Sequence, residues 1–267
     1  MNESHSFANK VRQQVLLNFS VWSKKLLFLS TFCKVRKRNI VPQLVSEYNE
    51  NDEICCAANH IVNEAVFSKL FEMSFPTRSL VGMSGQRFRK LLNKLIGDLH
   101  ITKYLEVGTF RGSTAIAGLI YNDECRGLLI DNFSQFGAQK EKLMSNLDRF
   151  KVSSRVNLID NDFRYCIEEM KNFSPQVFFF DGPHDNASHT MAAKLLGELT
   201  LNTDVLFIVD DWNWTSVRES TWNGIANSKV KVKGSWEILS NPRDRGGQFG
   251  NWHNGSLIAI LSSKDKP

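Results

Sequence analysis

Two stretches of this 267-residue chain gather groups that can move protons. One is Val177-Phe178-Phe179-Phe180-Asp181-Gly182-Pro183-His184, and the other is Val205-Leu206-Phe207-Ile208-Val209-Asp210-Asp211-Trp212-Asn213-Trp214. Each is an apolar run ending in acid. Read as neighbouring strands, they deliver Asp181, Asp210 and Asp211 to one edge. Carboxylates gathered there without partners repel one another, which raises a pKa or recruits a cation. An all-oxygen donor set completed by water suits Mg²⁺. A hydroxyl bound to such a cation loses its proton more readily. His184 can take a proton near neutral pH without a large shift, and His189, about a helical turn further on, is a second candidate base. The alternative for Asp210 and Asp211 is a capping and ion-pair role with Arg218.

A third stretch, Tyr104-Leu105-Glu106-Val107-Gly108-Thr109-Phe110-Arg111-Gly112-Ser113-Thr114, reads as a strand that breaks at Gly108 and turns into a helix. Such a strand–turn–helix junction offers free backbone N–H groups and room for close approach of a ligand. Its Gly-x-x-x-Gly spacing is not the dinucleotide fingerprint. Asp131, with Asn132 after it, ends the next strand about 20 residues on, where an acid can accept from ribose hydroxyls. Asn161-Asp162-Phe163 ends the strand after that. A carboxylate beside an aromatic ring suits an adenine, although Asp162 also fits a helix cap.

These residues need a sheet to align them. Strands are expected at 103–107, 126–131, 155–160, 176–181, 204–210, 230–239 and 256–262. Helical or loop segments separate the first five, which argues a mostly parallel sheet with helices on both faces. The last two are joined by the Gly/Pro/Asn-rich segment 240–255 and read as an antiparallel pair at the end of the sheet. That segment is placed to fold over a pocket, where Arg243 and Arg245 either bind an anionic acceptor or stay solvated. Residues 40–100 read as helical. An amphipathic helix over Arg87–Ile96 turns Phe88, Leu91, Leu92, Leu95 and Ile96 to one face and Arg87, Arg89, Lys90 and Lys94 to the other.

Glu106-x-Gly108-x-x-x-Gly112, Asp131 and Asp162-Phe163, in this order, resemble a class I S-adenosylmethionine-dependent methyltransferase over residues ~80–262. The resemblance implies a Rossmann-like α/β fold with a seven-stranded sheet and a reversed final hairpin. It implies S-adenosylmethionine as cofactor, with Glu106 near the methionyl amine and Asp131 on the ribose. Gly108, Thr109, Gly112, Ser113, Asn132, Asp162, Phe163 and Asp181 join them as cofactor contacts. The placement of Asp181 and Asp210-Asp211 further resembles the metal-dependent small-molecule O-methyltransferases of the catechol and macrocin types. This implies Asp181, Asp210 and Asp211 as metal ligands, Mg²⁺ as the ion, and a hydroxyl as acceptor. The catechol type has its lysine base three residues beyond the first Asp, where this chain has His184. The macrocin type has an Asp two residues beyond, where this chain has Pro183. His184 and Asp181 are therefore the catalytic candidates, and a sugar is the favoured acceptor among small molecules and glycans.

Composition frames this reading. Hydrophobic residues are 42% and charged residues 23% of the chain, ordinary values for a globular protein. The net charge of +5 is uneven: residues 1–40 carry eight basic side chains against Glu3, and the remainder is close to neutral. A near-neutral body argues against a nucleic-acid groove. Residues 1–40 read as a basic amphipathic extension. It is followed by a helical cap region over 41–100 and the cofactor-binding domain over 101–267. The basic arm, residues 10–38, is a candidate for peripheral contact with an anionic membrane. Lys24 and Lys25 interrupt its apolar run and argue against a spanning helix. Five scattered cysteines form no metal-binding spacing and fit reduced thiols in a cytoplasmic protein. A homo-oligomer is compatible with all of this. The reading of another class is a non-catalytic cofactor-binding scaffold anchored through the basic arm.

Overall fold

The computed structural model describes residues 41–68, 76–137, 139–200, 203–241, 243–244 and 250–265. The basic extension 1–40 and its membrane contact lie outside the described residues, as does Arg245.

Five strands run parallel: β2 (Lys103–Val107), β3 (Arg126–Asp131), β4 (Val156–Asp160), β5 (Val177–Phe180) and β6 (Val205–Asp210). β8 (Ser256–Ser263) pairs antiparallel with β6, and β7 (Val230–Leu239) antiparallel with β8. An eighth strand, β1 (Gln43–Tyr48), pairs antiparallel with β7 at the sheet edge. The full order is β1-β7-β8-β6-β5-β2-β3-β4. The seven strands expected from the sequence are therefore present, and the helical reading of residues 40–100 is corrected at Gln43–Tyr48.

The apolar strand runs are buried on both sheet faces, as parallel strands covered by helices must be. Alternation divides them. Val177 and Phe179 of β5 join one core, together with α1 (Glu53–Phe67), α2 (Gln86–Asp98), α3 (Ser113–Leu119) and α4 (Lys140–Arg149). Phe178 and Phe180 join the other core, with α5 (Ile167–Phe173), α6 (Asn186–Leu199) and α7 (Thr215–Ala226). The region 41–100 thus shares a core with the sheet, and Ile40–Pro267 forms one compact unit. Among the described residues no helix is long and apolar enough to cross a membrane.

Helix α2 departs from its expected polar face. Arg87 is 8% exposed and Arg89 is fully buried. Arg87 donates to the carbonyls of Ala65 and Ser68, which ties α2 to the end of α1.

The chain runs outward from β2 through β3 to β4, then returns to β5 on the other side of β2. The carboxyl ends of β2 and β5 therefore flank the switch point, the crevice where open α/β sheets bind ligands.

Candidate functional site

At the switch point Gly108 ends β2 with φ of +86°. A Cβ there would lie 1.8 Å from the Asp181 carbonyl oxygen, so only glycine fits. The Asp181 N–H in turn donates to the Val107 carbonyl at 2.9 Å. The glycine turn and the start of the acid cluster are thus joined by main chain.

Asp131 organises the neighbouring wall. Its Oδ2 accepts from the Phe110 N–H at 2.7 Å and its Oδ1 from the Phe133 N–H at 2.7 Å. Both phenylalanines hold left-handed backbone, with φ of 50° and 49°, which non-glycine residues adopt at a cost of about 1–2 kcal/mol. Each Asp131 oxygen keeps a second acceptor position.

Glu106 lies beneath this turn and is fully buried. Tyr104 donates its hydroxyl to Oε2 at 2.5 Å and Thr114 donates to Oε1 at 2.6 Å. Burial pushes the Glu106 carboxyl up to about 8, against the opposing effect of those two hydrogen bonds.

The acid cluster sits across the turn. Asp185 caps α6 by accepting from the Ser188 N–H at 2.9 Å, which fixes the chain just after His184. His184 Nε2 lies 3.1 Å from Asp211 Oδ2 and 3.7 Å from Asp181 Oδ1. Asn254 Nδ2 donates to Asp211 Oδ1 at 2.6 Å. Asp211 itself has φ of 54°. Trp214 stands edge-on to the His184 ring at 5.3 Å, and His189 stacks on its other side at 5.7 Å. His184 Nδ1 is buried and without a hydrogen bond among the described residues, so Nε2 is the nitrogen turned to the carboxylates.

Burial, and then the nearby Asp210 and Asp211, push the Asp181 carboxyl well above its usual range, although its side chain keeps 23% of its surface open. Asp210 is raised in the same direction by burial and then by Asp211. Arg218 does not relieve this crowding: its guanidinium donates to the Trp212 carbonyl and the Thr215 hydroxyl.

One cavity of about 330 Å³ collects most of the expected residues. Gly108, Asp131, Asn132, Asp162, Phe163, Asp181, His184, Asp210 and Asp211 line it. Glu106, Thr109, Gly112 and Ser113 do not. Asp162 lines the cavity while capping the next turn and pairing with Arg164, whose Nη2 lies 2.6 Å from Oδ2. That pairing holds the Asp162 carboxyl below its usual value. His189 is excluded from the base role: it is 1% exposed, hydrogen-bonded at Nδ1 to Thr221, and lowered to about 4 by burial.

The sequence reading passed over Met83, Phe110 and Phe136 as lining residues, and over Asn254 as the partner of Asp211. The Asn254-Gly255 turn was the available signal for the last of these. Of the tryptophans among the described residues, Trp214 alone lines the cavity, whereas Trp212, Trp236 and Trp252 are buried in the core. Arg243 is exposed and does not line the cavity.

The expected metal site does not fit this arrangement. Among the described residues no three His, Cys, Asp or Glu side chains are placed to hold a metal ion. The His184 imidazole lies between Asp181 and Asp211, and Asn254 holds the remaining Asp211 oxygen.

The donor side does fit an adenosyl amino acid. Asp131 retains acceptor positions for ribose hydroxyls, Asn161 and Phe163 line the far end, and the buried Thr109 hydroxyl in the turn has no partner among the described residues.

No protein-family model matches the sequence, and no curated protein matches it. Solved structures match by shape. Cofactor-bound Rv0187 from MTB is 15% identical, covers 80% of this chain and 91% of its own, and superposes with a TM-score of 0.51. The O-methyltransferase from Bacillus cereus in complex with SAH is 13% identical over 78% of this chain and 91% of its own, with a TM-score of 0.50. This chain has the Rossmann-like α/β fold of these proteins.

Proposed function

We propose that this chain is an S-adenosylmethionine-dependent O-methyltransferase acting on a hydroxyl of a small molecule or glycan. The observation that carries the reading is His184 Nε2 at 3.1 Å from Asp211 Oδ2, in the cavity whose other wall is the Gly108/Asp131 cradle.

When bound, S-adenosylmethionine supplies an electrophilic methyl group on a sulfonium. Asp131 holds the ribose through its free acceptor positions, and the bare backbone at Gly108 admits the adjoining chain. Phe163 and Asn161 receive the adenine. The acceptor hydroxyl displaces the His184 Nε2–Asp211 contact, so that the Nε2 lone pair of the Nδ1–H tautomer takes its proton as the oxygen bonds to the methyl carbon and the carbon–sulfur bond breaks. Asp211 stabilises the resulting imidazolium, and Asn254 keeps that carboxylate aimed. Proton removal of this kind contributes about 10²–10⁴-fold. Trp214, 45% exposed beside His184, offers a face for a sugar ring, and this favours a sugar acceptor.

The raised Asp181 and Asp210 carboxylates are what favour a second reading, in which Mg²⁺ orients the acceptor. It requires the His184 ring to leave its place between Asp181 and Asp211.

The test is calorimetry with S-adenosylhomocysteine, followed by transfer of a tritiated methyl group to a panel of monosaccharides and catechols with and without EDTA. Absence of S-adenosylhomocysteine binding would end the methyltransferase reading. Transfer abolished by EDTA and restored by Mg²⁺ would replace the His184 mechanism with the metal one. Binding without transfer to any acceptor would favour a cofactor-binding scaffold.

A further inference from the structure

Asn254 holds the acid that faces His184, yet residues 250–255, which carry Asn254, form neither helix nor strand. A side chain on such a segment keeps its aim only if the backbone beneath it is fixed. The carbonyls of this segment are fixed one by one. The Gly250 carbonyl accepts from the Gln86 N–H at 2.8 Å, and the Asn251 carbonyl from the Arg87 and Phe88 N–H groups at 3.1 Å. These N–H groups are orphan donors at the start of α2, whose cap residue, Gly85, has no side chain to satisfy them. The Trp252 carbonyl accepts from the Gly255 N–H at 2.9 Å, and the Asn254 carbonyl from the Asn213 N–H at 2.7 Å. The His253 carbonyl accepts from the Ser240 hydroxyl at 2.6 Å.

Two N–H groups of the segment go to one side chain. The Asn251 N–H donates to both oxygens of Asp244, at 3.0 and 3.1 Å, and the Trp252 N–H donates to Asp244 Oδ2 at 2.6 Å. The direction of these bonds is set by chemistry, since a main-chain N–H donates and a carboxylate oxygen accepts. Hydrogen bonds to a carboxylate are about twice as strong as neutral ones. Asp244 is half-buried and does not line the cavity. His253 and Asn254, the residues that follow Trp252, do line it. The start of α2 grips the segment at Gly250 and Asn251, and Asp244 grips it one residue nearer to the cavity.

We infer that Asp244 is a positioning residue for methyl transfer: by holding the Asn251 and Trp252 N–H groups it sets the turn that aims Asn254 at Asp211. The catalytic half of this rests on the methyltransferase reading. The structural half, that Asp244 sets the Asn254–Asp211 hydrogen bond, does not.

Two measurements test it. The first is NMR of the protein alone, which reads the side-chain amide of Asn254, assigned by its loss in Asn254→Ala. Asp244→Ala should speed exchange of that amide with water about tenfold. An unchanged amide in Asp244→Ala overturns the inference. The second is a double-mutant cycle on single-turnover methyl transfer. Asp244→Ala should lower kcat about five- to tenfold and leave S-adenosylhomocysteine affinity within about twofold of wild type. In the Asn254→Ala background the same change should alter kcat by no more than about twofold, because the group it aims is gone. A merely structural Asp244 would lower kcat by the same factor in both backgrounds, and that result overturns the inference. Asp244→Asn keeps one acceptor oxygen and should restore part of both signals, so it carries the test if Asp244→Ala fails to fold. If wild type binds no S-adenosylhomocysteine, the methyltransferase reading falls and takes the catalytic half with it, while the amide signal still decides the structural half.

Discussion

Asn254 Nδ2 lies 2.6 Å from Asp211 Oδ1, across a sequence separation of 43 residues. The contact brings the segment between β7 and β8 onto the acid that faces His184. Asp211 is therefore held from two sides, by Asn254 at one oxygen and by His184 at the other.

Under the proposed function, that arrangement separates binding from proton transfer. His184→Gln is expected to lower kcat for the best acceptor about 10²–10⁴-fold and leave S-adenosylhomocysteine affinity within about twofold. Asn254→Ala should lower kcat less, by about tenfold, since Asp211 keeps its contact with the imidazole. Single-turnover methyl transfer beside calorimetry reads both quantities. A His184→Gln protein with unchanged kcat would remove His184 from the proton path.

Asp131 carries local structure and, under the proposed function, ligand recognition. Asp131→Ala should weaken S-adenosylhomocysteine binding about ten- to a hundredfold and destabilise the chain by about 1–3 kcal/mol, because two main-chain N–H groups lose their acceptor. Urea unfolding with and without the ligand separates the two effects. Unchanged stability would show that the Phe110 and Phe133 N–H groups find other partners.

Glu106 makes stability depend on pH. It titrates at about 8 in the folded chain against a reference of 4.5, so between those values the folded state holds the extra proton. Stability from this group is full below about pH 4.5 and is lost as pH rises through about 8, a fall on the order of a few kcal/mol. Urea midpoints across pH 5 to 8.5 should slope downward in wild type and flatten in Glu106→Gln. An identical slope in the variant would place the dependence elsewhere.

Gly108→Ala should cost at least ~2 kcal/mol, since it adds a side chain at positive φ and against the Asp181 carbonyl. The melting temperature and S-adenosylhomocysteine binding should fall together. A stable variant with intact binding would mean that the turn yields more readily than its contacts imply.

The strand ends were readable because each is an apolar run stopped by an acid or a glycine, a pattern local to a few residues. The same locality explains what was missed. Arg89 sits among charged neighbours on α2, and a helical period alone sends it to solvent. Only the carbonyls of Thr77 and Leu80, brought over by the fold, account for its burial. Glu106 was assigned to a ligand because its position beside the glycine was visible, while Thr114 folding back onto it from α3 was not. β1 alternates weakly, and its partner β7 lies almost 200 residues away, so nothing nearby marks it as a strand. The three aspartates were correctly brought to one edge, but the imidazole between two of them depends on the cap that Asp185 places on α6.

The Gly108–Asp181 contact has a consequence for how this scaffold can change. Because Gly108 and Asp181 meet through main chain, no rotamer stands between the glycine turn and the backbone that carries the Asp181 carboxylate. Under the proposed function, the span from methyl group to attacking oxygen is then a property of the sheet's own spacing. On that reading, the cavity wall at Trp214, His253 and Asn254 can be rebuilt for another alcohol while that span stays constant.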